Sequence, residues 1–136
     1  MSGRPSERVD VVRRVLDLWA TGGDPLREGL IAPDVVYANP ADAVDAGDRH
    51  GVEGWRGAMS NFGRAFEITG IHVVALEEVG DRVLALVEME TRGRGSGLVA
   101  TRPLGFLFDV HDGRVTRLEW HNGHAPAREA AARGGG

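Results

Sequence analysis

The spacing of the apolar residues changes once along this chain, and that change constrains the fold more than any other feature. Before Ile68 the apolar residues recur with the period of helices, and after it they alternate as in strands. Ser6 can cap a first helix over residues 7–20. Helices followed by a run of strands indicate an α+β fold, in which a curved sheet wraps around its own helices.

The turn residues divide each half of the chain into elements. Gly80-Asp81, Asp112-Gly113 and the glycine-rich tip at residues 93–97 have the composition of hairpin turns. They separate four predicted antiparallel strands, over residues 71–78, 82–91, 99–110 and 114–122. The first half is predicted to continue with a short helix at 24–30, a strand at 34–40, a polar loop at 41–51 and a helix carrying Trp55, Met59, Phe62 and Phe66. A last helix is expected over residues 125–133.

The missing residue types exclude several kinds of chemistry. The chain has no cysteine, and all of its 16 basic residues are arginine. Disulfides, thiolate metal sites and cysteine nucleophiles are therefore excluded, and so are lysine Schiff bases and a phosphate-loop lysine. Any reaction would depend on carboxylates, histidines, arginines, hydroxyls and amides, and no cofactor or metal is predicted.

Length and charge limit the partners that we expect. A chain of 136 residues suits one domain, predicted here over residues 1–136 with an ordered core at about 6–130. The net charge of −4 argues against nucleic-acid binding, which requires a basic face. No apolar run approaches the roughly 20 residues of a membrane span, and the N-terminus lacks the apolar segment of a signal peptide. We expect a cytoplasmic protein without a membrane or nucleic-acid partner.

The predicted strand at residues 82–91 carries the strongest candidates for chemistry. Alternation places Leu84, Leu86, Glu88 and Glu90 on one face. An unpaired buried carboxylate is costly, so such a group reaches solvent, pairs with a cation, or lies in a pocket that raises its pKa. These three alternatives stay open at the level of the sequence.

The middle strands are apolar on both faces. The face turned away from the helices therefore also needs to be covered. A second subunit would supply that cover, which predicts a homodimer formed through the outer face of the sheet.

The order of elements and four segments resemble the SnoaL-like branch of the nuclear transport factor 2-like superfamily. The segments are A-P-D-V-V-Y-A-N-P at 32–40, R-H-G-V-E-G at 49–54, R-G-R-G-S-G at 92–97 and D-G-R-V-T-R-L-E-W at 112–120. The resemblance implies a cone-shaped, mostly antiparallel, strongly curved sheet of the cystatin-like kind, wrapped around N-terminal helices and enclosing an apolar pocket. It is specific for the fold and carries little information about the reaction.

Two branches of this superfamily suggest different site residues. Ketosteroid isomerases place an aspartate base before a proline, where this chain has Asn39 before Pro40, and asparagine cannot act as a base. Limonene epoxide hydrolases hold a water with a Tyr-x-Asn motif, which Tyr37 and Asn39 match. Their Asp-Arg-Asp set falls on Glu90, Glu88 and Trp120. Arg102, on the next strand and predicted to share the inward face with Leu104, Phe106 and Phe108, is expected to supply the missing cation.

The resemblance implies a cofactor-free enzyme that performs isomerisation, cyclisation, dehydration or epoxide opening on a small apolar cyclic metabolite. The predicted catalytic residues are Glu90, Glu88, Arg102, Tyr37 and Asn39. The predicted substrate-binding residues are Trp19, Trp55, Met59, Leu86, Leu104, Phe106, Leu118, Trp120 and Asn122. The alternatives are a ligand-binding protein without catalysis and, third, a protein–protein adaptor.

Overall fold

Three helices and a six-stranded sheet make up the fold. The computed structural model describes residues 6–40 and 47–134. Helix α1 covers Glu7–Thr21, α2 covers Gly51–Ala65 and α3 covers His124–Gly134. Within the described residues, none of the helices is both long enough and apolar enough to cross a membrane.

The first helix has the boundaries that its capping residues predict. The Ser6 hydroxyl accepts a hydrogen bond from the Val9 amide at 3.0 Å, and Gly22 ends the helix in a left-handed conformation. The predicted helix at residues 24–30 is wrong, because the chain forms hydrogen-bonded turns there. Asp24 accepts a hydrogen bond from the Leu26 amide, and Gly29 has a φ of 77°. A residue with positive φ interrupts helix propagation, so this segment stays a turn.

The strands pair in the order β2-β1-β6-β5-β4-β3. They cover Ile31–Asn39 (β1), Gly47–His50 (β2), Phe66–Val79 (β3), Arg82–Gly93 (β4), Val99–His111 (β5) and Arg114–His121 (β6). Strands β3 to β6 form the predicted antiparallel meander, whereas β1 runs parallel to β6. Strand β2 lies within the segment predicted as a loop. Residues 41–46 of that loop lie outside the described residues, so a lid role for it stays a prediction.

The inner face of the sheet, defined as the face that packs on α1 and α2, holds the main core. The sheet is curved and does not close on itself. Val12, Val15 and Leu16 of α1 and Trp55 of α2 are buried against it. The strand residues of this core are Val83, Ala85, Val87, Met89, Leu104, Phe106, Phe108, Val110, Val115 and Leu118.

The outer face is covered in part by α3. Ala127, Ala130 and Ala131 of this helix form a second buried cluster with the three leucines Leu84, Leu86 and Leu107. The predicted last helix is thus confirmed, and it covers the apolar outer face that suggested a homodimer. The homodimer itself stays a prediction.

Gly105 allows α3 to lie directly on β5. A Cβ atom at this position would come within 2.2 Å of the Ala127 Cβ and 3.1 Å of the Gly123 carbonyl oxygen. Any side chain at residue 105 would therefore push the helix away from the strand. Because alanine side chains cannot retract, the backbone of α3 would have to move.

We predict that Gly105→Ala lowers the free energy of unfolding by about 1–3 kcal/mol, the usual cost of overpacking a core. Urea unfolding would measure the change. Gly63→Ala in α2 is the matched control, since its Cβ meets no atom within 4 Å, and it should leave stability unchanged or raise it by up to about 1 kcal/mol. Equal stability of the Gly105→Ala and wild-type proteins would show that α3 does not depend on this close contact.

Candidate functional site

Five aromatic side chains meet where α1 and α2 pack on the inner face. This aromatic cluster consists of Trp19, Tyr37, Trp55, Phe106 and Phe108. The Trp19 and Trp55 rings are stacked with centroids 6.4 Å apart, and the Tyr37 ring meets Trp55 edge-on at 6.0 Å. Trp19 also lies 5.6 Å from Phe106 and 6.3 Å from Phe108. The sequence placed four of these residues in the site, and the structure brings them together.

Two hydrogen-bond donors in the cluster lack a partner. The indole nitrogens of Trp19 and Trp55 are buried, and no acceptor among the described residues is within hydrogen-bond distance of either. Buried polar groups are nearly always hydrogen-bonded, because an unpaired donor keeps the full cost of leaving water. The two indoles therefore point to an acceptor supplied from outside the described chain.

The third tryptophan is bonded within the chain. The Trp120 indole donates to Asn39 Oδ1 at 2.9 Å, and the Asn39 amide donates to the Gly47 carbonyl at 3.1 Å. Asn39 thus joins β1 to β6 and to β2. Both ends of its amide therefore take part in joining strands, and the water-holding role that the Tyr-x-Asn resemblance implies stays a prediction.

Tyr37 is a buried phenol with a cation on the same side of the sheet. Burial raises the pKa of Tyr37 to about 12, and the nearby Arg49 guanidinium partly opposes this rise. Arg49 lies directly opposite Tyr37 in the β1–β2 pair, so the two side chains share a face. The sequence analysis missed Arg49 because β2 fell within a predicted loop. The R-H-G-V-E-G segment that contains it was noted only for its family resemblance.

Most of the predicted binding residues lie on the inner face. Met59, Leu104, Leu118 and Trp120 pack in the same core as the aromatic cluster. Asn122 is exposed in the turn that follows β6, so it does not join them.

Three predicted site residues lie on the opposite side of the sheet. Leu86 is buried beneath α3, and Glu88 and Glu90 follow it on the outer face. The expectation that this face lines the cone is wrong. Strand alternation fixes which residues share a face, but the helices that cover it decide which face points inward.

Arg102 has the predicted register, but it does not share a face with Glu88 and Glu90 and so cannot pair with them. It lies opposite Met89 on the inner-face side, whereas Glu88 lies opposite Pro103 and Glu90 opposite Thr101. Its side chain is exposed. The carboxylates have other neighbours: Glu90 accepts a hydrogen bond from Thr69 at 2.7 Å, and Glu88 lies 3.7 Å from His124 Nε2.

The outer face carries a cluster of ionic side chains beside α3. Arg82 contacts Asp109 at 3.0 Å and Glu119 at 3.6 Å, and Arg117 contacts Glu119 at 3.3 Å. His121 Nε2 lies 2.6 Å from Glu119 Oε2, and only 13% and 19% of these two side chains are exposed. Burial acts to raise the pKa of Glu119, but the hydrogen bond and charge of His121, the hydrogen bond of Arg117 and the charge of Arg82 outweigh it and lower that pKa.

Two open cavities of the described residues lie away from the aromatic cluster. One, of about 360 Å³, adjoins the ionic cluster between Ala38, Asp48 and Arg117. The other, of about 450 Å³, lies near Asp34 and the turn at Asp112. Neither cavity is lined by a residue of the aromatic cluster. An open apolar pocket inside the cone therefore stays a prediction.

A comparison with models of protein families identifies the family of this chain. Residues 12–118 match the model of the SnoaL-like domain, which covers most of the sequence. The chain belongs to the SnoaL-like domain family. The resemblance on which the sequence analysis relied is thereby confirmed. No curated protein shows a significant sequence match to this chain.

Solved structures share the SnoaL-like fold at low sequence identity. A candidate SnoaL-like polyketide cyclase from Jannaschia has 18% identity and a TM-score of 0.74, with 96% of this chain and 94% of that chain covered. A ketosteroid isomerase-like protein from Catenulispora acidiphila, solved with trimethylamine, has 14% identity and a TM-score of 0.68, covering 90% and 92%. TerC, co-crystallised with polyporic acid, has 18% identity and a TM-score of 0.69, covering 93% and 99%. At these identities the likeness shows the fold alone.

We predict that the Tyr37 phenol titrates near pH 12 in the folded protein. Tyr37 is the single tyrosine of the chain, so the ultraviolet absorbance of tyrosinate reports it alone. Because Arg49 lowers this pKa, Arg49→Met should move the midpoint still higher. Circular dichroism at each pH would confirm that the fold persists, and Tyr37→Phe gives the blank. A midpoint near 10 in the folded state, the ordinary value, would contradict the burial of this phenol.

We also predict that Glu119 stabilises the fold above its ordinary pKa of 4.5. Since the folded-state pKa is the lower one, this contribution is present above 4.5 and is lost as the pH falls through the folded-state pKa. Urea unfolding between neutral and acidic pH should show a steeper loss for the wild type than for Glu119→Gln. Glu129→Gln, at an exposed position of α3, should follow the wild type. If the free energy of unfolding fell equally with pH in the wild type and in Glu119→Gln, the prediction would be wrong.

Proposed function

We propose that this SnoaL-like protein binds a small, mainly apolar ring compound that carries hydrogen-bond acceptors. The ligand would bind at the aromatic cluster, between the two helices and the inner face of the sheet. The apolar rings supply the binding energy, and a few polar groups fix the orientation, as in most small-molecule sites.

The two unpartnered indole donors carry this proposal. Their rings stack with centroids 6.4 Å apart, and neither indole nitrogen has an acceptor among the described residues. A carbonyl or hydroxyl oxygen would satisfy each donor and remove the cost of leaving it unpaired. Trp19, Tyr37 and Trp120 keep part of their surface exposed, which gives a ligand a route to the cluster.

The structural neighbours support a small-molecule role for this fold. Polyporic acid with TerC and trimethylamine with the Catenulispora acidiphila protein are both small organic molecules. Members of the SnoaL-like family are often cofactor-free isomerases or cyclases. These statements concern the relatives. They are the reason to test small organic ligands first with this protein.

A second candidate function is cofactor-free isomerisation or cyclisation of the same ligand, and Tyr37 favours it. With a pKa of about 12 the phenol stays protonated near neutral pH, and it can donate a hydrogen bond to an oxygen that becomes negative in a reaction. Arg49 would stabilise the same charge.

Catalysis is the second candidate because the shielded carboxylates lie on the face of the sheet opposite the aromatic cluster. Among the described residues, the carboxylates that are shielded from solvent are Glu88, Asp109 and Glu119, and all three lie on the outer face. The predicted pair of Glu88 and Glu90 therefore does not serve as the acid and base of a reaction inside the cone. A base for catalysis would have to come from a water or from the ligand.

Tryptophan fluorescence can test ligand binding directly, since Trp19, Trp55 and Trp120 are the three tryptophans of the chain. Methyl naphthyl ketone, which carries an acceptor, should quench this fluorescence saturably. Ethylnaphthalene, a ring of similar size without an acceptor, should bind about fivefold more weakly, the worth of one ordinary hydrogen bond.

Substitution of one indole should remove that difference. Trp55→Phe keeps an aromatic ring but loses the donor, so it should weaken the ketone while leaving ethylnaphthalene nearly unchanged. Trp120→Phe is the control, because the Trp120 donor is already bonded to Asn39, and it should affect both compounds alike. If neither compound binds the wild type, the cluster is only a packed core and the proposed function fails.

A further inference from the structure

Arg49 is placed beside the aromatic cluster and under α2. It faces the same side of the sheet as Tyr37, directly across the β1–β2 pair. The edge of the Tyr37 ring in turn meets Trp55. A guanidinium, a phenol and an indole therefore lie in sequence along one edge of the proposed ligand site.

Arg49 differs from the other half-buried arginines in its partners. Each of the others contacts carboxylates within 4.0 Å: Arg8 contacts Glu78 and Asp81, Arg82 contacts Asp109 and Glu119, and Arg117 contacts Asp48 and Glu119. Within residues 6–40 and 47–134 no carboxylate lies within that distance of Arg49. A cation shielded from water without a counter-ion is costly, so half-buried arginines normally have one.

Two glycines of α2 lie against Arg49, Gly57 against its guanidinium and Gly54 against its backbone and Cβ. A Cβ at Gly57 would lie 3.0 Å from Arg49 Nη1, and a Cβ at Gly54 would lie 2.9 Å from the Arg49 carbonyl carbon and 3.0 Å from its Cβ. Glycine inside a helix costs about 1 kcal/mol relative to alanine. The helix thus keeps two unfavourable residues at the positions where Arg49 crosses it.

We propose that Arg49 binds an acidic oxygen of the ligand, so that the ligand class is ring compounds carrying a carboxylate or an enolate. This inference rests on the proposed function, because it assigns the polar end of the same site. The guanidinium fork matches a carboxylate in geometry, and such charge-assisted hydrogen bonds are about twice as strong as neutral ones. Tyr37 would donate a second hydrogen bond to the same group.

A matched pair of probes tests the preference for an acid. Naphthoate and methyl naphthyl ketone share the ring and the carbonyl, but only naphthoate carries a charge. The wild type should bind naphthoate about tenfold more tightly, as expected for a charge-assisted hydrogen bond. Added salt should reduce the preference, because it screens exposed charges.

Arg49→Met should bring the ratio of the two affinities close to one by weakening naphthoate alone. Gly57→Ala gives an independent test. Alanine is more favourable than glycine within a helix, so the helix propensity of this variant does not lower its stability. Its new methyl group displaces the guanidinium without removing the charge, so the preference for naphthoate should fall only in part. Gly63→Ala, whose Cβ meets nothing within 4 Å, should keep the wild-type ratio.

Three outcomes would overturn the inference. Equal affinities for the two probes in the wild type would refute it and leave the proposed function standing. A loss of stability in Asp42→Asn or Asp45→Asn equal to that of Arg49→Met would assign Arg49 to an ion pair with the segment that precedes it. Absence of binding by both probes would refute the proposed function together with this inference.

Discussion

The structure depends on the burial of β4 and β5 on both faces. From Val83 to Val87 each residue of β4 is buried, and so is each residue of β5 from Leu104 to Phe108. A strand pair of this kind requires apolar cover from two sides, and removing either cover would expose a row of leucine, valine or phenylalanine side chains to water. Helices α1 and α2 satisfy one face, and α3 satisfies the other with a row of alanines.

The two faces of the sheet also carry different polar groups. The inner side combines aromatic rings with a phenol, an arginine and two indole donors that have no acceptor within residues 6–40 and 47–134. The outer side holds the shielded carboxylates: Asp109 and Glu119 contact Arg82, Arg117 and His121, and Glu88 lies near His124. Because a sheet separates the two groups, the acids cannot exchange protons with a ligand at the aromatic cluster. The ligand site that we propose thus lies on the inner side, and the ion pairs lie on the outer side.

Local signals predicted the elements well, and tertiary packing decided the rest. Ser6, Gly22 and the turn residues at 80–81 and 112–113 fix element ends through short-range hydrogen bonds and backbone conformation, so they can be recognised in one sequence. The orientation of β4 could not be recognised in this way. Its two faces are equally apolar between Val83 and Val87, and only the docking of α3 through Gly105 and Ala127 distinguishes them. Arg49 was missed for a related reason, because a four-residue edge strand carries too few residues to show a period.

The pairing of β1 with β6 brings together parts of the chain that are far apart in sequence. It aligns Tyr37 with Leu118, and the bond from Trp120 to Asn39 spans 81 positions. Closing a loop of this length costs entropy, which the contacts between its two ends have to offset. The polar end of the proposed site therefore exists only when β1 is paired with β6. A chain in which β1 was not paired with β6 would lack the proposed binding site, so ligand affinity would report this pairing as well as chemical recognition.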